Sequence, residues 1–157
     1  SLLKHELSKM LEKASELCEE EKYSHALKYY ENVLRVDPNN ITTIIDYGVT
    51  LQNLKRLKDA LEMYDIALII QPKNTSALIN KGTVLHMMQK YSEAISCYNI
   101  ALSLDKRNTM AIACKGLSLG ETGNITLAIK YFKKALLIDS QYELAQISLN
   151  TAKEIIK

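Results

Sequence analysis

The stretch Tyr91–Asn108, YSEAISCYNIALSLDKRN, is one of four variants of a single pattern in this chain. The others are YSHALKYYENVLRVDPNN at Tyr23–Asn40, LKDALEMYDIALIIQPKN at Leu57–Asn74 and ITLAIKYFKKALLIDSQY at Ile125–Tyr142. Successive copies start 34 residues apart, with no insertion between them. A fixed period of this size is the signature of stacked structural units, each of which buries its apolar face against its neighbour. Such an architecture favours a binding scaffold over an enzyme.

Composition agrees with helices. Ala, Leu, Ile, Lys and Glu dominate, and only two prolines and five glycines interrupt them. The apolar share, 47%, is enough to bury a core, so 1–157 is expected to form a single domain. No run of 18 apolar residues is present, and no signal-peptide-like segment opens the sequence. The chain begins at Ser1 rather than Met, which leaves room for flanking sequence with a function of its own. Cys18, Cys97 and Cys114 form no disulfide pattern, and a reducing, cytoplasmic setting is expected.

The repeats are set at 7–40, 41–74, 75–108 and 109–142, with 143–157 left as a tail, and each is numbered from 1 to 34. Position 8 is then Ala14, Gly48, Gly82 and Gly116, and position 20 is Ala26, Ala60, Ala94 and Ala128. Position 24 is Tyr30, Tyr64, Tyr98 and Phe132, and position 27 is Val33, Ala67, Ala101 and Ala135. Position 4 carries Met10, Ile44, Leu78 and Ile112, and position 11 is Leu in every repeat. Spacings of three and four put positions 4, 8 and 11 on one face of a first helix. Positions 20, 24, 27 and 28 share a face of a second helix. Small residues at 8 and 20 let the two approach closely enough for the ring at 24 to interdigitate.

Ser24, Ser92 and Thr126, at position 18, are expected to cap the second helices; in the second repeat Asp59 either takes that role or favours the helix N-terminus by its charge. Pro38 and Pro72 at position 32 are expected to stop them. Lys106 and Ser140 stand there in the later repeats, where smoother junctions are expected. Asn40, Asn74 and Asn108 are candidate caps for the following first helix. Small residues at 8, 20 and 27, an aromatic at 24, proline at 32 and the 34-residue period resemble the tetratricopeptide repeat. The resemblance covers Leu7–Tyr142 and implies an all-α right-handed solenoid of four helix-turn-helix repeats. Lys13, Lys81 and Lys115 depart from it at position 7, where a large apolar residue is common; their stems can still cover apolar surface. The tail, 143–157, continues the first-helix phase and is expected to be a capping helix packed through Leu144, Ala145 and Ile147.

The family resemblance assigns positions 2, 5, 6, 9, 12 and 13 to a concave, partner-binding side. Of the residues there, Thr42, Ile45, Asp46, Val49 and Asn53 come from the second repeat. Ile79, Asn80, Thr83, His86 and Met87 come from the third, and Met110, Ala113 and Leu117 from the fourth. No Lys or Arg occupies these positions in any repeat. Relatives that grip chaperone C-terminal carboxylates use Lys, Asn and Arg on this side. Here Leu11 and Ser76 stand where cations are needed, and only Asn80 is clamp-like. A carboxylate clamp is therefore not expected, and neither is nucleic acid in the groove. The apolar strip Ile45–Val49–Ile79–Ala113–Leu117, with adaptable Met87 and Met110 at its margins, suits a peptide or an amphipathic helix with a few apolar anchors; the alternative is that the helices tilt and these side chains pack among themselves.

Other chemistry finds little support. His86 and Cys114 share a predicted face but are too few to hold a metal. Cys18 and Cys114 lack an evident base, and Gly116, Gly120 and Gly123 lack the Lys-Ser/Thr ending of a phosphate loop. No cofactor, metal or catalytic activity is expected. The net charges of the four repeats run −2, 0, +2 and +2, which leaves a self-assembling structural scaffold, joined through end-to-end or surface contacts, as the alternative.

Overall fold

The 34-residue register resolves into nine helices and no strand in a computed structural model that describes residues 1–157. The first helices are α1 (Leu2–Glu19), α3 (Ile41–Asn53), α5 (Thr75–Met87) and α7 (Thr109–Glu121). Each is followed by a second helix: α2 (Tyr23–Val36), α4 (Leu57–Ile70), α6 (Tyr91–Leu104) and α8 (Ile125–Ile138). A final α9 spans Glu143–Ile155. The fold class is the expected all-α helical repeat. The helices group into two compact units, Ser1–Ala77 and Leu78–Lys157.

Each hairpin is held by a small residue pressed against a ring. A Cβ added at Gly48 would lie 2.6 Å from Tyr64 Cε1 and one at Gly116 2.6 Å from Phe132 Cε1, and one at Gly82 would run into the Tyr98 ring. No side chain fits there, so glycine at position 8 lets the helices close over the ring. In the first unit Ala14, Leu17, Ala26 and Tyr30 form one core cluster, and Ile44, Ala67 and Ala77 another. In the second unit Ile112, Ala113, Ala135 and Ala145 form a cluster beside that of Ala128, Ile129, Phe132, Leu149 and Ala152. Lys115 at position 7 behaves as its stem allows: its ammonium sits 4.5 Å from the centre of the Tyr131 ring.

The turns inside the hairpins differ from expectation. Ser24, Ser92 and Thr126 do not cap; they lie one residue inside helices whose N-caps are Lys22, Lys90 and Asn124, none making a side-chain capping bond. The backbone does the work instead. Glu21, Lys55, Gln89 and Gly123 all take a left-handed conformation. The next amide then reaches back to the leucine at position 11: Lys22 N to Leu17 O, Arg56 N to Leu51 O, Lys90 N to Leu85 O and Asn124 N to Leu119 O, at 2.7–3.0 Å. This is the Schellman closure. It brings the chain into the second helix one residue before the serine. Asp59 lies in the first turn of α4 and pairs with Arg56 at 2.9 Å, so it acts by charge.

The junctions between repeats are equally sharp with and without proline. Second helices end at the same register position in all four, at Val36, Ile70, Leu104 and Ile138. Where proline is missing, an aspartate holds the turn: Asp105 accepts from Arg107 N at 3.3 Å, and Asp139 from Gln141 N at 3.0 Å. Asn40, Asn74 and Asn108 then cap as expected, accepting from Thr43 N, Ala77 N and Ala111 N at 2.9–3.0 Å. α9 is present, but its buried stripe is Ala145, Leu149 and Ala152. Leu144 and Ile147 are exposed, contrary to expectation, because the stripe follows the three-four spacing from Ala145.

Candidate partner-binding surface

In the first unit, side chains from two successive first helices converge. Thr42, Asp46, Val49 and Asn53 of α3 face Leu11, Ser15 and Cys18 of α1 across a depression of about 360 Å³. Its floor carries Tyr30 and Thr50. Cys18 Sγ lies 3.8 Å from the Tyr30 hydroxyl and 3.5 Å from Thr50 Oγ1, and Thr50 donates to Asp46 O at 2.8 Å. These bonds tie the floor to both helices. Partial desolvation raises the pKa of the Asp46 carboxyl above its ordinary value. Ile45 is turned away from the depression and packs against the cluster of Ile44 and Ala67.

In the second unit the expected residues separate. Ile79 and Ala113 are closed into the core. Asn80, Thr83 and Met87 are half-buried, and Met110 is exposed. Thr83 Oγ1 donates to Ile79 O at 3.0 Å, the bond expected of a threonine on a helix. His86 Nδ1 meets Ser118 Oγ at 2.8 Å, and its ring sits edge-on to Tyr91 at 5.0 Å. Burial lowers the His86 pKa, and the charge of Glu121 partly opposes this. Cys114 is buried, which pushes its thiol up to about 11 and keeps it protonated at neutral pH. That is the wrong state for a nucleophile.

Leu117 opens onto a second cleft, about 370 Å³ in volume. Gly120 and Glu121 of α7, Ile125, Ala128 and Phe132 of α8, and Ile147, Ser148, Thr151 and Ile155 of α9 share it. The α9 side chains were missed by the sequence reading, although the register holds the signal. Counted from Glu143, they occupy positions 5, 6, 9 and 13, the same positions as the expected partner-binding stripe of the earlier first helices.

A tetratricopeptide repeat model matches residues 17–77, and a second model of that repeat matches 75–108 and 115–142. The chain belongs to the tetratricopeptide repeat family. Its fold is that of a protein–protein interaction scaffold. Among solved structures, MamA is similar at a TM-score of 0.78 and 22% identity, over 94% of this chain and 81% of that one. A tetratricopeptide repeat protein from Parabacteroides merdae ATCC 43184 gives 0.77 and 21% identity, over 95% of this chain and 60% of that one. The first such domain of Spaghetti (RPAP3), bound to the HSP90 peptide SRMEEVD, gives 0.70 and 17% identity, over 74% and 92%. At these identities the likeness shows the fold alone. Among curated proteins, none matches the sequence. No helix of this tetratricopeptide repeat chain is long and apolar enough to cross a membrane.

Proposed function

We propose that this chain is an adaptor that binds a peptide or an amphipathic helix along the concave stripe of its first helices, with 1–157 acting as one domain. The observation that carries this reading is the convergence of Leu11, Cys18, Asp46 and Val49 on one depression. Apolar anchors with polar neighbours and firm hydrogen-bonded floors are what such a groove needs. The RPAP3 domain is seen with an acidic peptide. We propose no such clamp here, because Leu11 and Ser76 cannot supply the cations. The lack of Lys and Arg on the stripe likewise argues against nucleic acid. The family's members are typically non-enzymatic, and the protonated Cys114 thiol supports a non-catalytic reading. Three cysteines without a disulfide support a reducing, cytoplasmic setting.

Affinity capture comparing the wild type with the pair Val49→Asp and Leu117→Asp tests the groove. Loss of a defined partner by a variant of unchanged helicity is the expected result; retention of the same partner would sink the reading. Self-assembly is the second reading, favoured by the charge difference between the repeats and by exposed Lys130, Lys133 and Lys134 on α8. Light scattering over a concentration series decides it, since a constant monomer mass counts against it.

A further inference from the structure

Within each unit, position 12 of one first helix faces position 10 of the next, and this pairing is filled differently from pair to pair. Between α1 and α3 it is Cys18 with Thr50, 3.5 Å apart. Between α5 and α7 it is His86 with Ser118, 2.8 Å apart. Between α7 and α9 the same register gives Gly120 and Ala152. A hydrogen atom and a methyl group cannot close the gap. The space therefore runs down to Ala128 and Phe132, with Ile125 and Ile155 among its walls. A Cβ built on Gly120 would touch only the Ala128 methyl, at 3.7 Å, so close packing does not demand the glycine.

The electrostatics of this cleft are one-sided. Glu121 stands at its edge and forms no salt bridge, and no Lys or Arg is among the lining residues. A volume of about 370 Å³ is at the small end of ligand clefts, roughly 300–1,000 Å³, and suits one large side chain better than a whole helix. We infer that the α7–α9 cleft is an anchor site for a single large apolar side chain of a protein partner, with a Lys or Arg of that partner set beside Glu121. The inference rests on the groove reading and deepens it. It gives that groove a partner chemistry: a basic segment with an apolar anchor, the opposite of an acidic tail. Apolar contact supplies the affinity, and the carboxylate selects the flanking charge.

The probe is the blocked tripeptide Lys-Phe-Lys, titrated into the full chain while isoleucine methyl resonances are followed by NMR. Saturable shifts at Ile125, Ile147 and Ile155 are expected, with Ile69 and Ile100 on second helices unmoved. Replacing Phe by Ala in the probe should weaken binding by roughly tenfold or more. Replacing both Lys by Glu should weaken it by about two- to fivefold, the range of an exposed charge pair. Gly120→Leu should abolish the shifts by filling the gap. Glu121→Lys, at an exposed position that leaves packing untouched, should reverse the preference between Lys and Glu probes. Shifts spread over all isoleucines, or a charge preference indifferent to Glu121→Lys, would overturn the inference. If the cleft fails while Val49→Asp still releases a captured partner, the groove reading survives without it. If Val49→Asp has no effect either, both fall.

Discussion

At Gly48 a missing methyl group decides how two helices meet. A Cβ there would lie 2.6 Å from a carbon of the Tyr64 ring, which is itself fully buried and has nowhere to move. Gly48→Ala gains up to about 1 kcal/mol of helix propensity. Overpacking costs about 1–3 kcal/mol, so the net effect is a loss of stability. Gly120→Ala meets only a 3.7 Å contact and keeps the propensity gain, so it should be neutral or stabilising. Urea denaturation of the two variants tests this; equal effects would mean that the ring contact does not fix the hairpin. The same comparison shows why one glycine belongs to the core and another borders a cleft, although both read alike in the sequence.

At the scale of the helix, the caps separate what the chain displays from what it conceals. Asn108 is visible in the sequence because its side chain is the capping group, accepting from Ala111 N at 3.0 Å. Asn108→Ala should cost about 1 kcal/mol. Ser92 looks equivalent but lies inside α6, with no capping bond at that helix's start. Ser92→Ala should therefore stay within about 0.5 kcal/mol of the wild type. A comparable loss at both positions in thermal or urea unfolding would contradict the assignment. The true turn is built from backbone amides and from Glu21, Lys55 and Gln89 in a left-handed conformation that their side chains do not favour. Only Gly123, in the fourth repeat, announces it in the sequence. The helical period, the small-residue and ring positions and the asparagine caps were legible because side chains carry them. Of the expected binding stripe, Thr42, Asp46, Val49 and Asn53 fall where the register puts them, around one depression. Ile79 and Ala113 share that register but are buried, since local packing and not periodicity sets exposure.

At the scale of the whole molecule, buried titratable groups set a pH window. Burial raises the pKa values of Tyr30, Tyr64 and Tyr98, and that of Cys114 to about 11. Each is held neutral in the fold, whereas the unfolded chain ionises at about 8.5 for Cys and about 10 for Tyr. Their contribution is therefore complete below about pH 8.5 and is lost as the pH rises through the folded values. His86 acts in the opposite direction. Its lowered pKa gives a contribution present above about pH 6.5 and lost as the pH falls below that. Urea midpoints should be flat between these limits and fall on either side, most steeply in alkali; a midpoint that held constant into strong alkali would contradict the burial of these groups.

The most direct test of the binding account is hydroxyl-radical footprinting of the complex with a captured partner. Val49 and Met110 are exposed on the first-helix stripe, while Ile69 and Leu137 are exposed on second helices, at 80% and 87%. Partner binding should protect Val49 and Met110 from oxidation and leave Ile69 and Leu137 unchanged. Protection of Ile69 or Leu137, with Val49 and Met110 still fully reactive, would place the partner elsewhere and contradict the account.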